Sequence, residues 1–574
     1  MKSLYIDMME KIVGAYSTED IQNYISEVTE NGITEHGFGR LTANIGILFA
    51  HGKCLHLQEL FIQMMDICCK DIPTTRERFP DNPTDPSSQQ KYTQVGNDFS
   101  VRELICCLLA LEENDVFPTK TTCWRSLFQT INPYTCYAVI AKSPTDKVHN
   151  WAAFGAASEQ ARVFAGIGNK SEFVDNQIAS QLWSFDENGM YRDPNEPMVY
   201  DITTRLQLTT ALYFGYDGLY KEKLDKILEL GGLKTLFMQS VTGEIPFGGR
   251  SNQFLHNEAV LAAVCEYEAV RHYKKGDLKL AGRFKHAAKL AADSIVTYLD
   301  SEQLPHVKNY YPKDSFYGCE KYAYYKKYMV TTASFLYLAY LFADDEIMPE
   351  CSSAKEENYI FETTPYFHKT MCKAGDYFVE YETNADFHYD SNGLGRIHKK
   401  GAPSSICLSL PFTKTPKYDV DIENPSDLSI CFGIYEEDKF ILSSDPGTKY
   451  VLVNKEVTET AATMEWQVTL NNGFQVLDKC VVSDEGVILS FEQLGEASNI
   501  IYGMLPAFET DGVEKSTIRI NKHNLEITYK GHKCRYSATA EMQDTGKVYA
   551  NRNGHYRLFM AQSNRKLGVH VQIE

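Results

Sequence analysis

The sequence predicts two successive domains of different class, a helical N-terminal domain and an antiparallel all-β C-terminal domain. Three observations predict this. Apolar residues recur at three- and four-residue spacing up to about residue 345, and after about residue 370 the period falls to two. Between them lies a segment with Pro349, Ser352, Ser353 and a run of charges that follows neither period. At 574 residues, with 43% hydrophobic and 23% charged content, the chain has the composition of a globular protein too long for one small core.

The helical elements follow one another as LTANIGILFAHG, LQELFIQMMDICCK, FSVRELICCLLALEE, NWAAFGAASEQARVFAG, RLQLTTALYFGY, EAVLAAVCEYEAVRHY, GRFKHAAKLAADSIVTYL and MVTTASFLYLAYLFA. About a dozen helices fit into residues 1–345 at ordinary helix and loop lengths. No strict repeat of the tetratricopeptide or HEAT kind is present. Residues 346–372 read as a linker. From 373 to 574 the segments are short, β-rich and alternating, among them GDYFVEYET, SICFGIYEE, MEWQVTLNN, FQVLDKCVVS, GVILSFEQL and YRLFMAQ. Turn pairs Asn392-Gly393, Asn472-Gly473, Asp511-Gly512 and Asn553-Gly554 punctuate them. This pattern predicts a sandwich or stacked sheets.

The bulk numbers exclude several classes. A net charge of −19 argues against a nucleic-acid binder, since phosphate contacts need basic surface. No apolar run reaches the roughly 18–20 residues of a membrane span, and the start of the chain lacks the apolar core of an export signal, so a cytoplasmic location is expected. The fifteen cysteines include Cys68-Cys69 and Cys106-Cys107 inside apolar helical segments, and they read as reduced, buried side chains. Neither CxxC nor HExxH occurs, His51, Cys54 and His56 have only loose ligand spacing, and no metal or cofactor is expected. Thirty-six tyrosines suit sugar stacking, ordinary packing or a homo-oligomer interface.

The densest polar stretch runs from Thr242 to Glu258, TGEIPFGGRSNQFLHNE, and leads into an apolar helix. Gly243, Gly248 and Gly249 permit positive φ, and Ser251 or Asn252 is placed to cap the helix. Arg250, Asn252, Gln253, His256 and Asn257 form a donor-rich group at a helix start, a natural site for a carboxylate. His36, Arg40 and Asn44 stand at i, i+4 and i+8 on one helical face; Asn150 and Trp151 head another helix, where the indole can stack a sugar. SFDENGMYRDPNEPMVYDITTR offers Asp186, Glu187, Asp193, Glu196 and Asp201 with Tyr191 and Arg192, and YYPKDSFYGCEKYAYYKKY is rich in tyrosine between two helices.

A large helical domain followed by a β-sandwich resembles the heparinase II/III-like polysaccharide lyases and, in architecture, toroidal glycoside hydrolases acting on glucuronides. The resemblance implies an (α/α) toroid before the sandwich. It also implies a cleft in which Asn or His neutralises a uronate carboxylate while Tyr acts as base or acid. On SNQFLHNEA those roles point to Asn252, Gln253, His256 and Asn257, and on the tyrosine-rich segment to Tyr310, Tyr311 and Tyr317. DFHYDSNGLGRIHKKG adds His388 from the head of the β region. Two chemistries remain open. β-Elimination needs carboxylate neutralisation, a base for the C5 proton and an acid for O4. Hydrolysis needs two carboxyl groups, for which Asp186, Glu187, Asp193, Glu196 and Asp201 are candidates, with Glu244 and Glu258 as further acids. The expected partner is a uronate-containing oligosaccharide or polysaccharide; a binding protein with a degenerate cleft is the third reading.

Overall fold

The computed structural model describes residues 1–80, 84, 86–169, 172–350, 358–437, 439–496 and 499–574. Among them, twelve helices form two concentric rings. In chain order these are α1 (Lys2–Gly14), α2 (Gly37–Ala50), α3 (Gln58–Asp71), α4 (Asn97–Glu113), α5 (Pro118–Phe128), α6 (Trp151–Phe164), α7 (Glu172–Ala179), α8 (Met198–Tyr213), α9 (Lys221–Met238), α10 (Leu255–Lys274), α11 (Leu278–Leu299) and α12 (Tyr325–Phe342). The even-numbered helices pack in the closed cycle α2–α4–α6–α8–α10–α12–α2, and odd-numbered helices lie outside them. N-terminal α1 packs on both α12 and α2, so the two ends of the helical segment close the ring.

Side-chain composition decides which helix is inner. α11 buries Ala281, Phe284, Ala288, Ala291, Ala292 and Ile295 along one stripe, as an outer helix should. α10 is buried almost all round, from Leu255 to Glu266, and α2 is buried from Gly37 to Phe49. An inner helix has neighbours on every side, so even its polar residues leave water. The described cysteines are all free, and all but Cys54 and Cys123 are buried. No described helix is long and apolar enough to cross a membrane.

The sheets begin earlier than the sequence suggests. β1 (Tyr359–Glu362) and β2 (Lys369–Ala374) both start inside the segment read as a linker, because a four-residue strand is too short to show a period. They continue through β3 (Tyr377–Glu382) and β4 (Gly393–Lys399) in a four-stranded antiparallel sheet. Ser352 and Ser353 of that segment lie outside the described residues. The next strands are β5 (Cys431–Glu436), β6 (Lys439–Leu442), β7 (Lys449–Val457), β8 (Ala461–Thr469), β9 (Gln475–Ser483), β10 (Gly486–Gln493) and β11 (Ile500–Thr510). The chain ends with β12 (Thr517–Asn521), β13 (Asn524–Tyr529), β14 (His532–Ala538), β15 (Met542–Asn551), β16 (Gly554–Asn564) and β17 (Lys566–Ile573). They form an eight-stranded sheet, β12-β13-β14-β17-β10-β9-β8-β7, and a five-stranded one, β15-β16-β11-β5-β6. β8 shows why: its residues alternate between half-buried and buried along the whole strand, which sends Ala462, Met464, Trp466 and Val468 into the core shared by the sheets.

Helical and β domains meet through charges removed from water. Across the junction, Arg396 of β4 lies 3.8 Å from Glu244 and donates to Ile245 O (2.7 Å), and Arg552 pairs with Glu320 (2.8 Å). On either side, Lys308 lies between Glu244 (3.1 Å) and Glu258 (2.8 Å), and Lys369 of β2 pairs with Glu382 (2.8 Å). Deleting one partner of such a set strands a buried charge, which favours one relative placement of the domains over others.

Candidate active site

The first turns of all six inner helices surround one cavity of about 830 Å³, within the usual ~300–1,000 Å³ of small-molecule sites. His36 and Arg40 come from the start of α2, Phe99 from α4, Asn150, Trp151 and Phe154 from α6, Tyr200 from α8, His256 from α10, and Lys327 and Tyr328 from α12. Since each of these helices presents its N-terminal end, the partial positive ends of six dipoles face the same space. Three cations line it, Arg40, Arg250 and Lys327, and the sole carboxylate among the lining residues is Asp193. Arg40 is paired with Glu103 behind the wall (3.3 Å) and donates to Thr331 Oγ1 (2.6 Å). Lys327 makes no ion pair among the described residues, and burial lowers its pKa. The balance suits an anion.

The glycine-hinged loop delivers Arg250 and leads into the helix that carries His256. Gly243, Gly248 and Gly249 have φ of 92°, 117° and 76°, the left-handed region anticipated for them. Arg250 then reaches across to Asp193 Oδ2, donates to the Pro194 carbonyl (2.8 Å) and lies 4.5 Å from the centre of the Tyr200 ring. Burial raises the Asp193 carboxyl while Arg250 opposes the shift, and Asp193 Oδ1 is left without a partner.

His256 is set as a donor by its neighbour. Asn257 Oδ1 accepts from the Phe254 backbone N–H (3.2 Å), which leaves its amide nitrogen to donate to Ser251 O (3.1 Å) and to His256 Nε2 (3.1 Å). The ring proton therefore sits on Nδ1, which has no partner. Burial, with Arg40 nearby, takes the His256 pKa down to about 3, so the ring stays neutral. Asn150 Nδ2 is a second unpartnered buried donor.

A hydroxyl cluster completes the site. Ser251 Oγ lies 3.1 Å from Tyr200 Oη, 3.0 Å from Tyr322 Oη and 3.5 Å from Tyr328 Oη. Burial raises all three phenols, and the Arg250 cation works against that at Tyr200. Trp151 stands edge-on to Phe99 at 4.8 Å and adds an apolar wall.

The cavity thus gathers His36, Arg40, Asn150, Trp151, Asp193, Arg250 and His256 from the sequence candidates. The others are elsewhere. Asn252 bonds Pro246 O (3.0 Å) and Gln253 bonds Asn252 Oδ1 (2.7 Å), so with Asn257 they brace the loop from behind. Neither Ser251 nor Asn252 caps α10; Phe254 is the N-cap residue. Glu244, for which burial alone would favour the neutral form, is held down to about 2 by Lys308, His398 and Arg396 at the domain junction, the reverse of a general acid. Tyr191 donates to Gln181 Oε1 (2.6 Å), Arg192 donates to Ser184 O (3.0 Å) and Trp183 O (2.9 Å), and His388 lies by Thr415 O (2.9 Å) on a sandwich loop.

Tyr310, Tyr311 and Tyr317 are also placed away from this cavity. Tyr310 stacks on Tyr298 (5.5 Å), while Tyr311 and Tyr317 stack on each other at 3.7 Å and border a separate cavity of about 680 Å³. Burial pushes Tyr310 and Tyr311 up to about 12, so the lysines of the loop do not depress them. The tyrosine-rich segment does reach the site, through Tyr322 and Tyr328. With Tyr200 and Lys327 these fall outside the sequence candidates. The signal that identifies them is position: each sits next to or within the first turn of an inner helix.

The chain is similar to heparinase III. One heparinase III structure matches at 9% identity over 93% of this chain and 75% of that chain, with a TM-score of 0.47. A heparinase III gene product matches at 10% identity, 93% and 78% coverage and a TM-score of 0.48. A mutant of heparan sulfate lyase HepC from Pedobacter heparinus matches at 10% identity, 93% and 75% coverage and a TM-score of 0.44. No protein-family model and no curated protein matches the sequence.

Proposed function

We propose that this protein is a polysaccharide lyase that cleaves a uronate-containing oligosaccharide or polysaccharide by β-elimination. The observation that carries the reading is the cavity's inventory: unpartnered neutral donors and cations beside clustered phenols, with one carboxylate that is already engaged by Arg250. His256 Nδ1–H and Asn150 Nδ2 donate to the uronate carboxylate, and Arg250 and Lys327 add positive charge, which makes the C5 proton more acidic. Tyr200, with the Arg250 cation over its ring, is the base for that proton, and Tyr322 on the same serine protonates the leaving O4. Tyr200 is a phenol at rest, because burial raises its pKa, so it first gives its own proton to solvent. As the phenolate then takes the C5 proton, Tyr322 gives its proton to O4, the C4–O4 bond breaks and a C4–C5 double bond forms.

Hydrolysis finds less support here. It calls for a second carboxyl group across the cavity, whereas Asp201 is bound by Arg205 (2.8 Å), Asp186 by Thr364 (2.8 Å) and Glu196 by His368 (2.9 Å). Incubation with uronate oligosaccharides should generate ultraviolet absorbance from the unsaturated product. Cleavage without that chromophore, with solvent oxygen-18 in the new reducing end, would instead establish hydrolysis.

A further inference from the structure

Ser251 holds the hydroxyl cluster together, yet it is itself held from the sandwich. Its φ of 57° and the 68° of Gln253 are left-handed values that non-glycine residues adopt only when their surroundings impose them. The turn between β15 and β16 does the imposing. Glu320 Oε1 accepts from the Ser251 backbone N–H (2.6 Å), and Arg552 of that turn grips both oxygens of the same carboxylate (2.8 and 2.9 Å). Arg552 also donates to Gly318 O (2.8 Å) and lies 4.2 Å from the Tyr418 ring centre. Asn553, next in the turn, donates to Gln253 Oε1 and Lys308 O (3.2 Å each), and Asn309 donates back to Arg552 O (2.7 Å). Both Arg552 and Glu320 are buried, and neither lines the cavity.

We propose that Arg552 and Glu320 are positioning residues, through which the sandwich domain sets Ser251 and hence the Tyr200 and Tyr322 hydroxyls at the cavity wall. The proposal rests on the lyase reading for its kinetic consequence, but not for its geometric one. A two-point arginine–carboxylate grip fixes orientation as well as charge, which a lysine cannot reproduce.

Two variants test it, Glu320→Gln, which turns an NH₂ toward Arg552, and Arg552→Lys, which keeps the charge and loses the fork. In each, amide hydrogen exchange across residues 249–254 should rise at least tenfold while the inner helices exchange as before. Turnover of a uronate oligosaccharide should fall at least tenfold in kcat with KM within twofold, Arg552→Lys being the milder. Wild-type exchange in that segment, or an unchanged kcat, overturns the proposal; if Glu320→Gln does not fold, Arg552→Lys carries the same two measurements. A wild-type protein that forms no unsaturated product removes the lyase reading, and the exchange data then decide this inference alone.

Discussion

Tyr200 shows how much chemistry one residue gains from its neighbours. Its hydroxyl shares a serine with Tyr322, its ring faces a guanidinium, and burial otherwise keeps it protonated. Replacing Tyr200 or Tyr322 with Phe should lower kcat by about 10²–10⁴, the usual contribution of a positioned acid or base, and leave the melting temperature nearly unchanged. His256→Gln tests the other role: a donor to the carboxylate holds the bound substrate and bonds more strongly as charge develops on that carboxylate, so KM as well as kcat should suffer. Steady-state kinetics on purified variants separate these outcomes. At this scale the sequence was informative about residue type more than about direction. Asn252, Gln253 and Asn257 read as ligand donors, and all three spend their amides on the loop itself. A donor's direction depends on backbone φ and on what lies behind it, which no single stretch of sequence states.

The inner helices were visible one by one from their apolar spacing, but their arrangement was not. Periodicity reports which face avoids water, and a helix buried all round has no contrast to report. What joins the elements at the site is close backbone contact. Gly249 packs against Pro197 at the start of α8, where an added Cβ would come within 2.5 Å of the Pro197 Cα, and its φ of 76° already disfavours a side chain. Gly249→Ala should therefore destabilise the fold by about 1–3 kcal/mol and push α8, with Tyr200, away from Ser251. Thermal denaturation and kcat should fall together. Gly276→Ala, at a glycine of φ 82° with open space around it, controls for the backbone effect without the clash.

Over the whole molecule, buried titratable groups set a pH window for stability. Burial holds His256 and His306 down to about 3 and about 4. Their neutral forms support the fold fully above an unfolded value near ~6.5, and that support is lost as pH falls toward the folded values, about 2 kcal/mol for each at pH 5. Asp478 in β9 has the opposite sign: burial alone raises it from 3.8 to about 7. Its protonated form favours folding below the unfolded value, and the advantage disappears as pH climbs through the folded one, a loss of about 4 kcal/mol by pH 8. Asp478→Asn should accordingly raise the melting temperature at pH 8 and hardly at all at pH 4. Equal shifts at both pH values would mean that Asp478 is not kept neutral by the core.

By itself the sequence determined that a run of helices gives way to a run of strands, that cations, amides and imidazoles cluster before α10, and that glycines hinge that cluster. These are local properties, written in spacing and in the backbone freedom of single residues. Only the tertiary structure decided which donors face the cavity, that Tyr200, Tyr322 and Tyr328 rather than Tyr310, Tyr311 and Tyr317 stand there, and that a turn 300 residues downstream braces Ser251. Those choices depend on six helices closing into a ring and on a sandwich docking against its mouth, so each contact is made by residues far apart in the chain.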